Sequence, residues 1–409
     1  MKKITALVLA MLMLFSLAAC GAEKTETAPA AEAAPAAEAA PAAEAETLET
    51  VKVGFLAFLS GPDNYLGVQP QLAMEDYIEE VNANGGWLGH PVELVTYDVA
   101  RGLEEFVPAT TKMIEEDGCI AILGPTNSAG AMAAQPVVTE YEVPLIALSA
   151  TNEKVTIDEN TGDVYDWMYR VCFIDPYQAE GLANFSYDDQ GFRKIAILAD
   201  VTNAYSVAME SNFANIFTSR GGEIVATEHF NENDVDFRAQ LTNIAASGCD
   251  AIFSPACNIR YGVLIGQQAR ELGIECPILM ADSVYGPELL EAAEELEGCF
   301  VSTGLIDDDP AYEEYREQFT AKHNMNANIY AYYGLDAIMA LEAAIKQANS
   351  VEPAAIRDAL ETLTDAEVFT GKLTVDPATH NPLDKPITVM QITGGEFKLY
   401  TVFDPAAGK

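Results

Sequence analysis

Polar residues that suit the binding of an anion stand together in two short segments of this sequence. Asn127 and Ser128 precede a predicted helix that begins near Ala129, and Ser149 and Thr151 follow an apolar run farther along the chain. A carboxylate is bound by hydroxyl and backbone N–H donors, often at a helix N-terminus, where the helix dipole favours negative charge. The two segments predict a carboxylate site if the fold brings them together.

The hydrophobic pattern predicts the elements that must position these segments. From residue 51 onward, short apolar runs rich in β-branched residues alternate with longer segments of helical period, which is typical of an α/β protein with parallel sheets. The runs fall into two consecutive series, which predict two lobes. Ligands of such sheets bind at loops beyond the carboxyl ends of the strands. The predicted strands are 51–58, 92–98, 119–123 and 143–148, then 194–200, 223–227, 250–254, 277–280 and 299–303, and the predicted helices include 71–84, 106–116, 129–141 and 259–272.

Three segments carry a resemblance to a known family. They are Asn82-Ala83-Asn84-Gly85-Gly86-Trp87-Leu88-Gly89, the Gly124-Pro125 loop followed by Ala150-Thr151, and residues 330–337. Over about residues 51–404 the chain resembles the leucine/isoleucine/valine-binding protein family, the extracytoplasmic substrate-binding components of ABC amino-acid importers. The resemblance implies the type I periplasmic-binding fold, which has two Rossmann-like lobes joined by three crossovers and closes on its ligand by a hinge motion.

The resemblance also implies where the lobes divide. The crossovers fall near Cys172, near Gly304 and after Leu373. The N-terminal lobe is then expected to contain residues 51–172 and 304–373, and the C-terminal lobe residues 173–303 and 374–404.

The ligand-binding residues are carried over from the family by position. A buried ammonium requires an anionic partner, and Asp282 stands where the family places that acid. Asn258 stands where branched-chain binders have a wall tyrosine, which predicts a more polar wall, and Tyr65 comes one place earlier than in the family pattern. The predicted cradle for the carboxylate is Ser128, Ser149, Ala150 and Thr151, beside Asn127, and the predicted aromatic walls are Tyr205, Tyr330 and Tyr65.

Each assignment has a structural alternative. Ser128 is also suited to cap a helix, and Thr151 and Asn152 to stabilise a turn. Tyr205 and Tyr330 are equally expected as core aromatics.

The N-terminus is typical of an exported, lipid-anchored protein. Lys2 and Lys3 precede an apolar stretch, so residues 1–19 are predicted to be a signal peptide. The stretch ends in Leu-Ala-Ala-Cys-Gly, which resembles a lipobox with Cys20 as the lipidated residue; an ordinary cleavage site beside a chance cysteine is the alternative. Residues 20–50 are rich in Ala, Pro and Glu and lack the apolar bulk to fold, which predicts a disordered tether on the extracytoplasmic face of the cell membrane.

Composition excludes several classes of function. With 22 Lys+Arg against 63 Asp+Glu, the formal net charge is −41, which repels nucleic acid. Outside the N-terminus no apolar run is long enough to cross a bilayer. No P-loop, nucleophile elbow or zinc motif is present, so neither an enzyme nor a metal or other cofactor is predicted. The run Asp307-Asp308-Asp309 is expected to cap a helix rather than bind calcium, and the six cysteines after Cys20 are expected to be mostly buried free thiols.

The sequence thus predicts a monomeric solute-binding lipoprotein that captures a small amino acid, branched-chain or related, and delivers it to the transmembrane subunits of an ABC permease. One alternative is a sensing module that signals to a membrane receptor. Another is a binder of amides, urea or aromatic carboxylates, which relatives in the family also take.

Overall fold

The computed structural model describes residues 48–61, 63–100, 102–383 and 385–404. The signal peptide, Cys20 and nearly all of the tether lie outside these residues, so those assignments stay predictions.

The first sheet is built by the first third of the described chain. Its strands are β1 (Val51–Ala57), β2 (Val92–Asp98), β3 (Ala121–Leu123), β4 (Leu145–Ala147) and β5 (Met168–Arg170). They run parallel in the order β2-β1-β3-β4-β5. The first four strands were predicted. The sequence does not predict β5, because this strand has only three residues and contains Arg170, whose side chain is buried.

The helices that flank this sheet are α1 (Tyr65–Ala83), α2 (Phe106–Glu115) and α3 (Ser128–Tyr141). The prediction for α1 was too short, since the helix begins at Tyr65 rather than at residue 71. Gly67 allows the first turn to pack closely on the preceding strand, because a Cβ at this position would lie 2.3 Å from the Phe58 carbonyl oxygen. Tertiary packing therefore determines where this helix begins, and the apolar periodicity of the sequence could not predict it.

The second sheet combines two separate parts of the chain. The remaining strands are β6 (Lys194–Asp200), β7 (Glu223–Phe230), β8 (Ala251–Ser254), β9 (Ile278–Met280), β10 (Phe300–Thr303), β11 (Ala366–Val368), β12 (Gly371–Leu373), β13 (Ile387–Thr393) and β14 (Glu396–Phe403). β11 and β12 pair with each other, and the others form one sheet in the order β14-β13-β10-β9-β8-β6-β7. β6 to β10 are parallel, as predicted, whereas β13 and β14 add antiparallel strands beside β10 and were not predicted.

The remaining helices show how the chain passes between the two layers. They are α4 (Asp175–Asn184), α5 (Ala204–Ser219), α6 (Arg238–Ser247), α7 (Ile259–Glu271), α8 (Glu313–His323), α9 (Ile329–Ala348) and α10 (Pro353–Glu361). After β10 the chain returns to the first layer, where α9 packs on α1 and Gly334 lies against Pro70. It then leaves again to form β13 and β14. The predicted α/β fold with two lobes is confirmed, and the residue bounds given above for the lobes stay a prediction.

A buried ion pair holds the last of these passages. Asp336 of α9 is fully buried, and its Oδ2 lies 2.9 Å from Lys385 Nζ, just before β13. The same carboxylate accepts hydrogen bonds from the backbone N–H and the hydroxyl of Thr370, at 2.8 and 2.5 Å. The pair therefore ties α9, the β11–β12 turn and the entry to β13 together.

The aspartate run and the cysteines are partly as predicted. Asp309 caps the short turn Pro310–Tyr312 by accepting from the Ala311 N–H at 2.8 Å. Asp307 is mostly shielded instead and accepts from the Ile329 N–H at 2.7 Å. The six cysteines of the described residues are free thiols; Cys119, Cys172 and Cys299 are buried, whereas Cys249, Cys257 and Cys276 are only half-buried.

Within the described residues, no helix has the length and apolar character needed to span a membrane. The same residues contain no group of three or more His, Cys, Asp or Glu side chains arranged to hold a metal ion.

Candidate functional site

Loops from the carboxyl ends of both sheets surround one small cavity of about 60 Å³. The first lobe contributes the loop before α3 and the loop after β4, and the second lobe contributes the loops after β6, β8 and β9. Seven of the ten predicted ligand-binding residues line it: Asn127, Ser128, Ser149, Thr151, Tyr205, Asp282 and Tyr330.

The N-terminus of α3 lies at this cavity, where Asn127, Ser128 and Ala129 line it. Asn127 is the N-cap, and its side-chain oxygen accepts from the Gly130 N–H at 3.0 Å. The alternative that Ser128 caps the helix is therefore wrong. The Ser128 hydroxyl oxygen accepts from the Asn152 N–H at 3.2 Å, which leaves its O–H as a donor.

The loop after β4 forms the adjoining wall. Thr151 is buried at the cavity, and the Ser149 hydroxyl donates to the Thr126 carbonyl oxygen at 2.9 Å. Ala150 is fully buried and lies behind the wall, where its carbonyl accepts from the Arg170 guanidinium at 2.6 Å. Asn152 stabilises a turn, as the structural alternative proposed, because its side chain accepts from the Lys154 N–H at 2.9 Å.

Asp282 faces this wall from the other lobe, at the turn that follows β9. Its Oδ1 accepts a hydrogen bond of 2.7 Å from the Tyr205 hydroxyl and one of 2.8 Å from the Gln178 side-chain amide. Burial raises the pKa of Asp282, and these two hydrogen bonds oppose the shift. The carboxylate is therefore held in place by donors that favour its charged form.

A second carboxylate, Asp175, lies behind the cavity at the start of α4. It is fully buried, and neither of its carboxylate oxygens has a hydrogen-bond partner of good geometry among the described residues. Burial raises the pKa of Asp175 to about 8; the nearby Thr151 hydroxyl and the Arg170 charge oppose the shift, and the Asp282 charge adds to it. Two acids of different environment thus flank the cavity.

Sequence reasoning missed Arg170, Asp175 and Gln178. Arg170 is fully buried and also donates to the Asn152 carbonyl oxygen at 2.9 Å, so it holds the loop after β4. One feature of the sequence could have indicated them: these three polar residues stand on either side of the apolar run 171–174, where the chain first passes between the lobes.

The aromatic wall differs from the prediction. Tyr330, in the first turn of α9, lines the cavity, and Tyr65 packs edge-on against it with ring centroids 5.7 Å apart. Tyr65 faces a neighbouring groove, and Leu66 lines the cavity instead. Tyr65 stands one place before the position of the family's tyrosine, which Leu66 occupies here, and in a helix of 3.6 residues per turn adjacent side chains lie on different sides.

Asn258 lies outside the cavity as well, and its neighbour Cys257 lines it. Asn258 caps α7 by accepting from the Arg260 N–H at 3.0 Å, and its amide donates to Asp63 of the other lobe. A second hydrogen bond between the lobes joins the Asn152 side-chain amide to the Ala204 carbonyl oxygen at 3.0 Å. The predicted polar wall at Asn258 is therefore a contact between the lobes.

Comparison with known proteins relates this arrangement to one family. The family model described as "Periplasmic binding protein" matches residues 50–396. A Leu/Ile/Val-binding protein from Rhizobium johnstonii is 26% identical over 327 residues, which cover 79% of this chain and 87% of that protein.

Two solved structures have the same fold over their whole length. The leucine-binding protein LivK from Thermotoga maritima has a TM-score of 0.78 and 28% identity, and the match covers 88% of this chain and 100% of that one. The substrate-binding protein LivJ of a branched-chain amino acid transporter from Streptococcus pneumoniae, solved with isoleucine, has a TM-score of 0.77 and 27% identity, with 87% and 99% covered.

Proposed function

We propose, because the chain belongs to the periplasmic binding protein family, that it captures a small free amino acid between its two lobes. Proteins of this family are extracytoplasmic substrate binders of ABC transporters and not enzymes, and this chain is accordingly a solute-binding protein. The amino acid as ligand, the permease as recipient and the lipid anchor belong to the proposal.

One observation carries the proposal: the N-terminus of α3 and the Asp282 carboxylate face each other across one small cavity. The helix N-terminus offers N–H donors and a favourable dipole to a carboxylate. Asp282 offers an anion to an ammonium group, and the two ends come from different lobes. This polarity matches that of a zwitterion, and the Ser128 hydroxyl, whose oxygen accepts from the Asn152 N–H, adds an O–H donor on the carboxylate side.

The rest of the cavity favours a small apolar side chain. Leu66, Tyr330 and Cys257 line it, whereas the polar Asn258 is engaged elsewhere. The relatives with 26–28% identity are named as leucine, isoleucine and valine binders or as a branched-chain transporter component. These observations support a branched-chain or similarly small amino acid.

The same geometry supports delivery in a closed form. The hydrogen bonds Asn152–Ala204 and Asn258–Asp63 join the two lobes, as a protein closed on its ligand requires. We propose that the transmembrane subunits of an ABC permease recognise this closed form. A lipid on Cys20 and the tether of residues 20–50 would hold the monomer at the outer face of the cell membrane.

A ligand screen tests the proposal. Melting of the purified protein is followed with free amino acids, amides, urea and aromatic carboxylates, since a ligand of the native state raises its stability by about 2.7 kcal/mol at a hundredfold excess over Kd. We expect a rise with one or a few amino acids, and loss of more than about tenfold in affinity for Asp282→Asn by calorimetry. Asp166→Asn, an exposed acid far from the cavity, is the matched control. A rise only with ligands that lack an amino group would contradict the assignment of Asp282.

A further inference from the structure

Two cysteines of the second lobe lie in direct contact, at the edge of the sheet opposite the cavity. Cys249 precedes β8 and Cys276 precedes β9, and their Sγ atoms are 3.9 Å apart. Both thiols are half-exposed, whereas Cys119, Cys172 and Cys299 are buried. A dissolved oxidant therefore has access to this pair and not to those three.

The backbone brings the two residues within bonding range. β8 and β9 are neighbouring parallel strands, with Ile252 level with Ile278. When this register is continued two residues back, Asp250 is level with Cys276. Cys249 is therefore one residue away from the position directly opposite Cys276. Hydrogen-bonded strands lie about 4.8 Å apart, and Cα atoms of disulfide-linked residues are about 4.4–6.8 Å apart. The sulfurs are 3.9 Å apart, compared with about 2.05 Å in a disulfide, so a short distance remains to be closed.

The local chemistry distinguishes the two thiols. The hydrogen bond between the two thiols stabilises a thiolate on Cys249 and lowers the pKa of Cys249 below that of an ordinary thiol. The same contact raises the pKa of Cys276. Cys249 is thus the better nucleophile, because a thiolate and not a thiol attacks a disulfide.

We propose that Cys249 and Cys276 are a redox modification site that forms an intrachain disulfide with a small disulfide oxidant on the extracytoplasmic side. The Cys249 thiolate attacks one sulfur of the oxidant RS–SR, which forms a mixed disulfide and releases RS⁻. Cys276 then loses its proton and attacks the Cys249 sulfur, which forms the Cys249–Cys276 bond and releases the second RS⁻. The two protein thiols are oxidised, the oxidant is reduced to two RSH, and the protons of the cysteines end on these products.

The bond would close a loop from residue 249 to residue 276. This loop contains β8, the Cys257 loop at the cavity and the whole of α7. A crosslink of this kind restricts the unfolded chain, so the oxidised protein is expected to melt several degrees above the reduced protein. Disulfides are also the stable state of suitably placed cysteines outside the cytoplasm.

Thiol counting on the full chain tests this proposal. The reduced protein is treated with glutathione disulfide or left reduced, denatured, alkylated with N-ethylmaleimide and weighed. We expect the oxidised wild type to carry two fewer alkyl groups, with a peptide that links residues 249 and 276. Cys119→Ser is the control and should lose the same two, whereas Cys276→Ser should keep glutathione on Cys249.

Two results would overturn the proposal. One is an unchanged number of alkyl groups in the wild type after oxidation. The other is a link from either residue to Cys257 or Cys299 instead. The peptide map is made on the wild type, so the result does not depend on the folding of a variant, and ligand binding is not used as the readout.

Discussion

The Tyr205 hydroxyl donates a 2.7 Å hydrogen bond to the Asp282 carboxylate, and both residues line the same cavity between the lobes. Tyr205 belongs to the first turn of α5 and Asp282 to the turn after β9, so the contact joins the elements that follow β6 and β9 in the second lobe. It orients the Asp282 carboxylate at the cavity that the N-terminus of α3 also lines.

Removal of this hydroxyl should weaken binding of the amino acid. A hydrogen bond to a charged group contributes about 1.5–3 kcal/mol, so Tyr205→Phe is expected to raise Kd by about tenfold or more. Because the bond also lowers the pKa of Asp282, the variant should lose affinity at a higher pH than the wild type as the solution is acidified. Calorimetry at several pH values measures both effects. Tyr97→Phe removes a matched 2.6 Å bond to Asp117 outside the cavity and should leave the affinity unchanged.

Asp175 should make the protein less stable as the pH rises. Its pKa is about 8 in the folded protein and about 3.9 in an unfolded chain. Between these values the native state binds more protons than the unfolded state, so the free energy of unfolding falls with rising pH, by at most about 1.4 kcal/mol per pH unit from this group. Asp175→Asn should remove this contribution and gain stability relative to the wild type between pH 5 and pH 8. Parallel unfolding profiles for the two proteins would contradict the assignment.

Leu66 should help to select the side chain of the ligand. Leu66→Ala enlarges the cavity on the side of the first lobe. The variant should therefore bind larger apolar amino acids more tightly, relative to smaller ones, than the wild type does. The measurement is the ratio of the Kd values of the largest and the smallest ligands found in the screen. Leu103→Ala changes the same atoms at an exposed position and should leave this ratio as it is. An equal ratio in both variants would mean that Leu66 plays no part in selection.

The Asp336–Lys385 pair should be important for stability. Lys385→Met leaves the fully buried Asp336 without its cation, which is expected to cost about 3–5 kcal/mol in denaturant unfolding. Lys398→Met breaks an exposed pair with Glu396 and should cost no more than about 1 kcal/mol. Similar losses in the two variants would show that the buried pair is not a structural tie.

Cys20 should decide where the protein is found. With Cys20→Ala no thiol is available for the lipid, so the protein is expected to move from the membrane fraction to the soluble fraction on cell fractionation. Cys119→Ala removes a buried thiol of the body and should stay with the membrane. Retention of the Cys20 variant in the membrane fraction would exclude this anchor.

The strand-end rule explains why most of the predicted site residues lie around one cavity. Ser128, Thr151 and Asp282 lie far apart in sequence, but each follows a predicted buried strand, and parallel strands bring such loops to one edge. Tyr65 and Asn258 lie outside the cavity because Tyr65 stands one place before Leu66 on α1 and Asn258 caps α7. These details depend on tertiary contacts, which no local pattern contains.

Asp175 and Gln178 were missed for another reason. They belong to the helix after the first passage between the lobes, and not to a loop at a strand end. Their importance lies in burial without full hydrogen bonding, since the side-chain oxygen of Gln178 also has no partner among the described residues. Only a three-dimensional structure reveals such a property.

The position of β13 beside β10 affects the order in which the second lobe can be completed. In a chain that crosses a membrane before it folds, β10 emerges well before β13, and residues 304–386 emerge between them. During that interval one edge of the growing sheet has no neighbour, and an open edge can pair with another chain. Helices α8 to α10 emerge in the same interval and have their partners in the first lobe, so one lobe can mature while the other waits. Secretion speed should therefore influence how much of this protein aggregates outside the cell.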